Sequence, residues 1–267
     1  MKLSISNIAW SMEHDTEMYN FLSTNGFESI EIAPTRIFPN NPYENLEMAK
    51  FWSDKLQTDF NLSVSSVQSI WYGRKENIFA SKKEKDFLLD YTKKAVLFTE
   101  ALKCRNLVFG CPRNRDTQLH FSKALSESKD FFHTIGEFAI KHHTIIAIEA
   151  NPTIYNTHFI NYTKEAFEFV QTLACEGLKV NVDLGTIIQN KEDISILAKH
   201  SNLINHVHIS EPNLEILTER NLHFELFALL KKIAYNGYVS IEMKNDNDIK
   251  TVKRVALYIK GCKGEDL

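Results

Sequence analysis

The sequence predicts a single α/β domain closed as a (β/α)8 barrel, and three observations carry that reading. Short aliphatic stretches alternate with amphipathic helical ones along the whole chain, giving eight strand-helix units with no linker or low-complexity segment between them. Such alternation argues a parallel sheet, and eight units argue its closure. A helix end, a glycine and a new strand follow one another at Asn25-Gly26-Phe27, Glu176-Gly177-Leu178 and Asn236-Gly237-Tyr238. Four strands in the second half each keep one aliphatic face and end in a side chain able to ligate a metal. An open, doubly wound sheet is the alternative; it lacks support because no GxGxxG or GxxxxGKS/T follows any strand.

At 267 residues, 43% of them hydrophobic, the chain can bury one sizeable core, and a single domain over 1–267 is expected. The net charge of −3 and a pI near 6.4 give no nucleic-acid footprint. The four cysteines lack CxxC spacing, which suits free thiols in a reducing compartment. Met1-Lys2-Leu3-Ser4-Ile5 leads straight into strand-like sequence, and no apolar run approaches the ~18 residues of a membrane helix. A soluble, cytoplasmic protein with no membrane partner is expected.

Taken in order, residues 3–9 read as the first strand, followed by a helix over Asp15–Asn25 with Met18, Phe21 and Leu22 on its apolar stripe. Gly26 stops that helix in the left-handed position. Strand two is Ser29–Ala33, ended by Pro34, with a Pro- and Asn-rich loop over 34–42. A helix over Tyr43–Phe60 leads to strand three, Ser63–Gln68, whose loop carries Trp71, Tyr72 and Arg74. A long amphipathic helix over Lys83–Leu102 precedes strand four, Asn106–Gly110, and the loop Cys111-Pro112-Arg113-Asn114-Arg115. The fourth helix covers Phe121–Lys141, and strand five delivers Glu149. Thr163 reads as the N-cap of helix five, which ends at Glu176-Gly177, and strand six delivers Asp183. A short helix over Glu192–His200 precedes the strand containing His206-Val207-His208. A helix over Leu222–Tyr235, strand eight with Glu242, and a last helix over Asp248–Ile259 complete the chain.

The four strand ends share one pattern. In Ile146-Ala147-Ile148-Glu149, Val180-Asn181-Val182-Asp183, Asn205-His206-Val207-His208-Ile209 and Val239-Ser240-Ile241-Glu242 the aliphatic side chains point one way. The small or polar ones point the other. A lone acid at a strand end is usually solvated or caps a helix, and a lone histidine in an apolar strand is usually a hydrogen-bonded core residue. Repeated on successive strands, buried charges are costly unless they are paired or bind a cation. Glu149, Asp183, His208 and Glu242 are therefore the candidate ligands of one divalent cation.

These residues resemble the xylose isomerase-like TIM barrels: Ile-Glu149 on strand five, Val-Asp183-Leu-Gly on strand six, His206-Val-His208 on strand seven and Ile-Glu242 on strand eight. The family includes sugar and sugar-phosphate isomerases and epimerases, inosose dehydratases and, more distantly, endonuclease IV; the pattern is most similar to that of the ketose 3-epimerases. The resemblance implies a metal site of Glu149, Asp183, His208 and Glu242, filled by manganese, magnesium or cobalt. It implies that Glu149 and Glu242 also act as the acid/base pair, with His206 as a pocket neighbour and Glu211 as the acid that follows the histidine strand. Two positions depart from those epimerases: Thr186 replaces a histidine three residues after Asp183, and Tyr155 replaces a glutamate six residues after Glu149. Both family residues grip substrate hydroxyls, so the metal centre looks retained and substrate recognition looks different.

The donor chemistry agrees with hard cations. Three carboxylates and one imidazole favour Mn2+, Mg2+ or Co2+ over a thiolate Zn2+ site. Such a cation stabilises the enediolate formed when a proton leaves the carbon next to a carbonyl, and two flanking carboxylates permit removal and redelivery of that proton. A metal-dependent sugar or sugar-phosphate isomerase or epimerase is the leading expectation. A lyase of the same fold that dehydrates a polyol-derived ketone comes second, and an endonuclease IV-like or purely sugar-binding barrel comes after it. Gln68 and Glu31, at strand ends, are the best-placed further substrate contacts. Trp10, Trp71 and Tyr155 could stack on a sugar ring; Arg113, with Arg74 and Arg115, could grip an anionic group. The remaining histidines, including His223, read mostly as surface residues. The sequence leaves oligomeric state open, a homo-oligomer included.

Overall fold

In the computed structural model, which describes residues 1–264, eight parallel strands form one sheet in the order β1-β8-β7-β6-β5-β4-β3-β2. The strands are β1 Lys2–Ile5, β2 Ser29–Ile32, β3 Ser63–Val67, β4 Asn106–Phe109, β5 Ile145–Glu149, β6 Leu178–Asp183, β7 Ile204–Ile209 and β8 Tyr238–Ile241. β1 and β2 meet through a single bridge between Ser6 and Glu31, which brings the ends of the sheet together as a barrel. The helices are α1 Asp15–Thr24, α2 Pro34–Ile37, α3 Leu46–Phe60, α4 Lys82–Ala101, α5 Phe121–Lys141, α6 Thr163–Leu173, α7 Leu184–Asn190, α8 Ile196–Lys199, α9 Asn221–Lys232 and α10 Ile249–Lys263.

The alternation read from the sequence separates two layers. Ile146, Ile148, Val180, Val182, Val207, Val239 and Ile241 are buried between the sheet and the helices, where their β-branched side chains fit the pleated surface. The small and polar residues fill the barrel interior with hydrogen bonds. Ser4 meets Ser65 at 2.7 Å, Asn106 donates to Ser66 at 2.8 Å, and Asn205 donates to Asn106 at 2.6 Å. These pairs satisfy one another's buried polar groups, as a polar interior requires.

Several expected boundaries move. β1 is shorter than 3–9, because Ser6 accepts from Ile8 N and starts a 3-10 turn over Asn7–Ala9. The loop after β2 contains α2, for which Pro34 presets the first turn. The helix expected from Tyr43 starts at Leu46, where the Asn45 side chain caps Met48 N at 3.0 Å. The N-cap of α6 is Tyr162 rather than Thr163, and the Glu165 carboxylate accepts from Asn161 N at 2.6 Å and Tyr162 N at 3.2 Å. The helix expected over Glu192–His200 is only α8, and α7, unanticipated, begins directly after Asp183.

Two of the helix-glycine-strand junctions use glycine for different reasons. Gly26 has φ +78, the left-handed geometry that glycine tolerates. Gly177 is needed for space: a Cβ there would lie 1.9 Å from the Gly136 carbonyl oxygen, so α5 and the α6–β6 turn could not approach.

Candidate active site

The four candidate ligands converge at the C-terminal end of the barrel. Glu149, Asp183, His208 and Glu242 each offer one ligating atom, and these atoms all lie within 4.8 Å of one another. They are at most 9% exposed. Register explains how they meet. Asp183 pairs with His208 across β6 and β7, whereas Glu149 pairs with Asn181, two residues before Asp183. Strand stagger thus steps the candidate ligands around the barrel wall.

His208 is the hinge of the arrangement. Its Nδ1 is 3.0 Å from Glu149 Oε1 and 3.2 Å from Glu242 Oε2, while its Nε2 is 2.9 Å from Glu31 Oε2. A buried carboxylate beside Nε2 holds a proton on that nitrogen and leaves Nδ1 directed at the acids, the orientation a metal-ligating imidazole requires. Asn181 donates to Glu149 Oε1 at 2.6 Å and Asn151 to Glu149 Oε2 at 3.0 Å, fixing that carboxylate from two sides. Gly110 leaves room for it, since a Cβ there would stand 2.7 Å from Glu149 Oε2. Asp183 caps α7, accepting from Thr186 N and Oγ1 at 2.8 Å, and Ser210 donates to its other oxygen. Ser210 in turn accepts from Gly185 N at 2.9 Å.

The electrostatics express the crowding of these charges. Burial pushes the Asp183 carboxyl up, and Glu149 beside it adds to the rise. Burial likewise pushes Glu242 up, to about 7, against the opposing pull of His208. Burial works against a charged His208, but Glu31 and Glu242 overcome it and hold the imidazole well above its ordinary range. Burial alone would raise Glu31, yet His208 and His206 bring it below the usual carboxylate range. A cation in the place of a proton would relieve the same crowding, and three carboxylates with one imidazole nitrogen suit a hard divalent ion. The residues therefore fit such a group.

A cavity of about 170 Å³ opens beside the cluster, with Glu149, Asp183 and Glu242 on one side. Gln68, Gly110, Cys111, Asn151, Tyr155 and Leu214 are among the other lining residues. Of the expected substrate contacts, Gln68 lies on this wall, its amide donating to Ser6. Tyr155 lies there too, its hydroxyl accepting from Asn213 N at 2.8 Å and so tying the β5 and β7 loops together.

Other expected contacts lie elsewhere. Trp10 is 2% exposed and donates to Asp15 at 2.8 Å; Trp71 is equally buried and donates to Thr92 at 2.9 Å, so neither offers a face to a sugar. Glu31 and His206 are buried inside the barrel, with His206 Nε2 3.2 Å from Glu31, and neither lines the cavity. Glu211 turns away to Arg220, which holds it with two bonds of 2.7 Å. Arg113 is exposed outside the cavity lining, and Arg74 lies over the rings of Phe87 and Tyr91. Arg115 is fully buried and donates to Gly110 O at 2.6 Å, Glu149 O at 2.9 Å and Asn151 Oδ1 at 2.8 Å, so it braces loops instead of meeting an anion. Thr186 is consumed by Asp183 and the Ala150 carbonyl. His223 is a core residue, 3.0 Å from the Tyr258 hydroxyl, and departs from the surface reading. Asn151, Gly110 and Ser210 were missed, because no local pattern marks a loop residue that braces another strand's side chain.

Residues 20–263 match the family model described as xylose isomerase-like TIM barrel. No curated protein matches the sequence. Among solved structures, D-psicose 3-epimerase from Clostridium cellulolyticum H10 superposes with a TM-score of 0.82 at 15% identity, covering 98% of each chain. The 3-keto-D-glucoside 4-epimerase of E. coli gives 0.77 at 18% identity, with 98% of this chain and 100% of that chain covered. A family 2 AP endonuclease from Brucella melitensis gives 0.73 at 20% identity, over 97% and 99% of the two chains. At these identities the likeness is one of fold.

Proposed function

The chain belongs to the xylose isomerase-like TIM barrel family, and from that premise we propose that it is a divalent-cation-dependent sugar isomerase or epimerase. The observation that carries the reading is the convergence of Glu149, Asp183, Glu242 and Nδ1 of His208, with Glu31 set behind the imidazole. Mn2+, Mg2+ or Co2+ suits this donor set better than Zn2+. The epimerases of like fold, which act on psicose and on a 3-keto-glucoside, support a small polyhydroxylated carbonyl compound as substrate.

Glu149, Asp183, His208 and Glu242 would hold the cation. When bound, it supplies Lewis-acid stabilisation of the oxyanion that forms as a proton leaves carbon next to a carbonyl. Glu149 and Glu242 both approach His208 Nδ1 and border the cavity, so each can reach a substrate carbon placed there. One carboxylate takes the proton and the other returns one, which inverts the centre; return to the neighbouring carbon gives isomerisation instead. Gln68 and Tyr155 offer an amide and a hydroxyl to substrate oxygens, in place of the histidine and glutamate that resemblance would supply at 186 and 155. Asn151 holds Glu149 in line.

The test is incubation of the cation-loaded protein with ketoses, keto-glycosides and sugar phosphates in deuterium oxide. Solvent deuterium at one carbon of a recovered isomer supports the reading. Loss of water from the substrate would assign the dehydrating alternative, and no turnover of any carbonyl sugar would refute both.

A further inference from the structure

We propose that the opposite, N-terminal end of the barrel carries a second ligand site, one for the oxyanion of a small phosphorylated metabolite. This proposal is independent of the chemistry at the candidate active site. A cavity of about 640 Å³ opens there, within the roughly 300–1,000 Å³ typical of small-molecule pockets. Its walls come from the turns that enter β3, β4, β5, β7 and β8.

Charge identifies the ligand class. Lys103, Arg105 and His143 line the cavity, and no carboxylate does among the described residues. Lys103 is already paired with Asp54 at 2.7 Å, but the Arg105 side chain is exposed and makes no ion pair or hydrogen bond among the described residues. An arginine is permanently charged, and its planar fork matches the geometry of a phosphate.

A second observation points to the same place. Thr144 lines the cavity at 1% exposure, and its buried hydroxyl has no hydrogen-bond partner among the described residues. Buried hydroxyls are normally satisfied, so an orphan hydroxyl on a residue that lines the cavity is a group that a ligand oxygen reaching it would satisfy. Thr144 follows His143 as Arg105 follows Cys104, in the adjacent turns that lead into β5 and β4. The two groups therefore occupy neighbouring parts of one rim, since Asn106 pairs with Ile145 in the sheet. Tyr238 adds a hydroxyl able to meet the remainder of a sugar phosphate, whereas the Asn106 side chain is already held by Ser66 and Asn205.

Calorimetric titration of the full-length protein with inorganic phosphate and with a hexose 6-phosphate tests this, at fixed ionic strength and with the free hexose as control. Saturable binding of a phosphate is expected, weakened at least ~10-fold in Arg105→Glu and several-fold in Thr144→Val. It should remain in Glu242→Gln, altered at the other end of the barrel. Thr144→Val should fold as well as the parent, because the hydroxyl it removes has no partner among the described residues. Tighter binding of the hexose phosphate identifies an organic phosphate as ligand; equal binding identifies recognition of the oxyanion alone. Absence of saturable binding, equal binding by the free hexose, retention in Arg105→Glu, or loss in Glu242→Gln would each overturn the proposal.

Discussion

Glu31 on β2 and His208 on β7 meet inside the barrel at 2.9 Å, 177 residues apart in sequence. The contact makes a carboxylate-imidazole pair whose far nitrogen faces three acids. Glu31 thus orients a candidate ligand and does not itself touch the cavity.

That relationship sets the first expectation. Glu31→Gln removes the charge behind His208 while keeping its shape, and the affinity for Mn2+ should fall ~10–100-fold. Calorimetry on the chelator-stripped protein measures it; unchanged affinity would show that the pair is only structural.

Second, one Mn2+ should bind per chain, and Asp183→Ala should abolish stoichiometric binding at micromolar protein. The side chain lost is also the cap of α7, so Asp183→Asn serves as the milder companion. It keeps a capping oxygen and should still bind at least ~10-fold more weakly, because a carboxylate ligand has become neutral. Metal analysis after gel filtration reports the stoichiometry.

Third, Glu149→Gln and Glu242→Gln should each slow solvent-deuterium exchange into substrate by at least ~10²-fold while retaining some bound cation. Full exchange in both variants would place the proton transfer on other groups.

Fourth, Gly110→Ala should separate site from scaffold. Its Cβ would press on Glu149 Oε2, the movable end of a side chain, whereas Gly177→Ala would press on the Gly136 backbone. Thermal melting should register a small change for the first, within about 1 kcal/mol, and a loss of several for the second. Cation affinity should fall in Gly110→Ala all the same.

Fifth, pH should act through the buried acid. Glu242 is raised in the folded protein to about 7 from an ordinary 4.5. A raised acid contributes stability that is present below about 4.5 and is lost as pH climbs through 7. In cation-free protein, Glu242→Gln should therefore gain on the parent across that window, by an amount of the order of 3 kcal/mol. Denaturant melts at pH 4.5 and 8 compare the two, and a constant difference between them would contradict the raised carboxyl. Comparison with a variant is needed because His223, lowered to about 4 by burial, changes stability in the opposite direction over part of the range.

Much of this was legible in local pattern. Alternation with period two in Ile146–Glu149 or Val239–Glu242 assigns each side chain to a face, and eight such units fix a parallel sheet of strands and helices. Polar residues repeated on the inner face of strands five to eight mark Glu149, Asp183, His208 and Glu242 without any coordinates. The fates of single loop residues were not legible. Trp10, Arg113 and Glu211 carry suitable chemistry, but whether they face the cavity depends on partners such as Asp15 and Arg220, which no spacing rule selects.

The sequence by itself therefore determined the barrel, its inward faces and the four candidate ligand positions at its strand ends, because side-chain direction along a strand follows from backbone geometry alone. Only the tertiary structure decided the rest. It set the stagger that places Asp183 beside His208 and Glu149 beside Asn181. It put Glu31 behind His208, buried Arg115 among carbonyls, and left the Thr144 hydroxyl and the Arg105 guanidinium without partners among the described residues on the opposite rim. Those outcomes depend on which side chains meet after closure of the sheet, through contacts between residues far apart in the chain, and no local period encodes them.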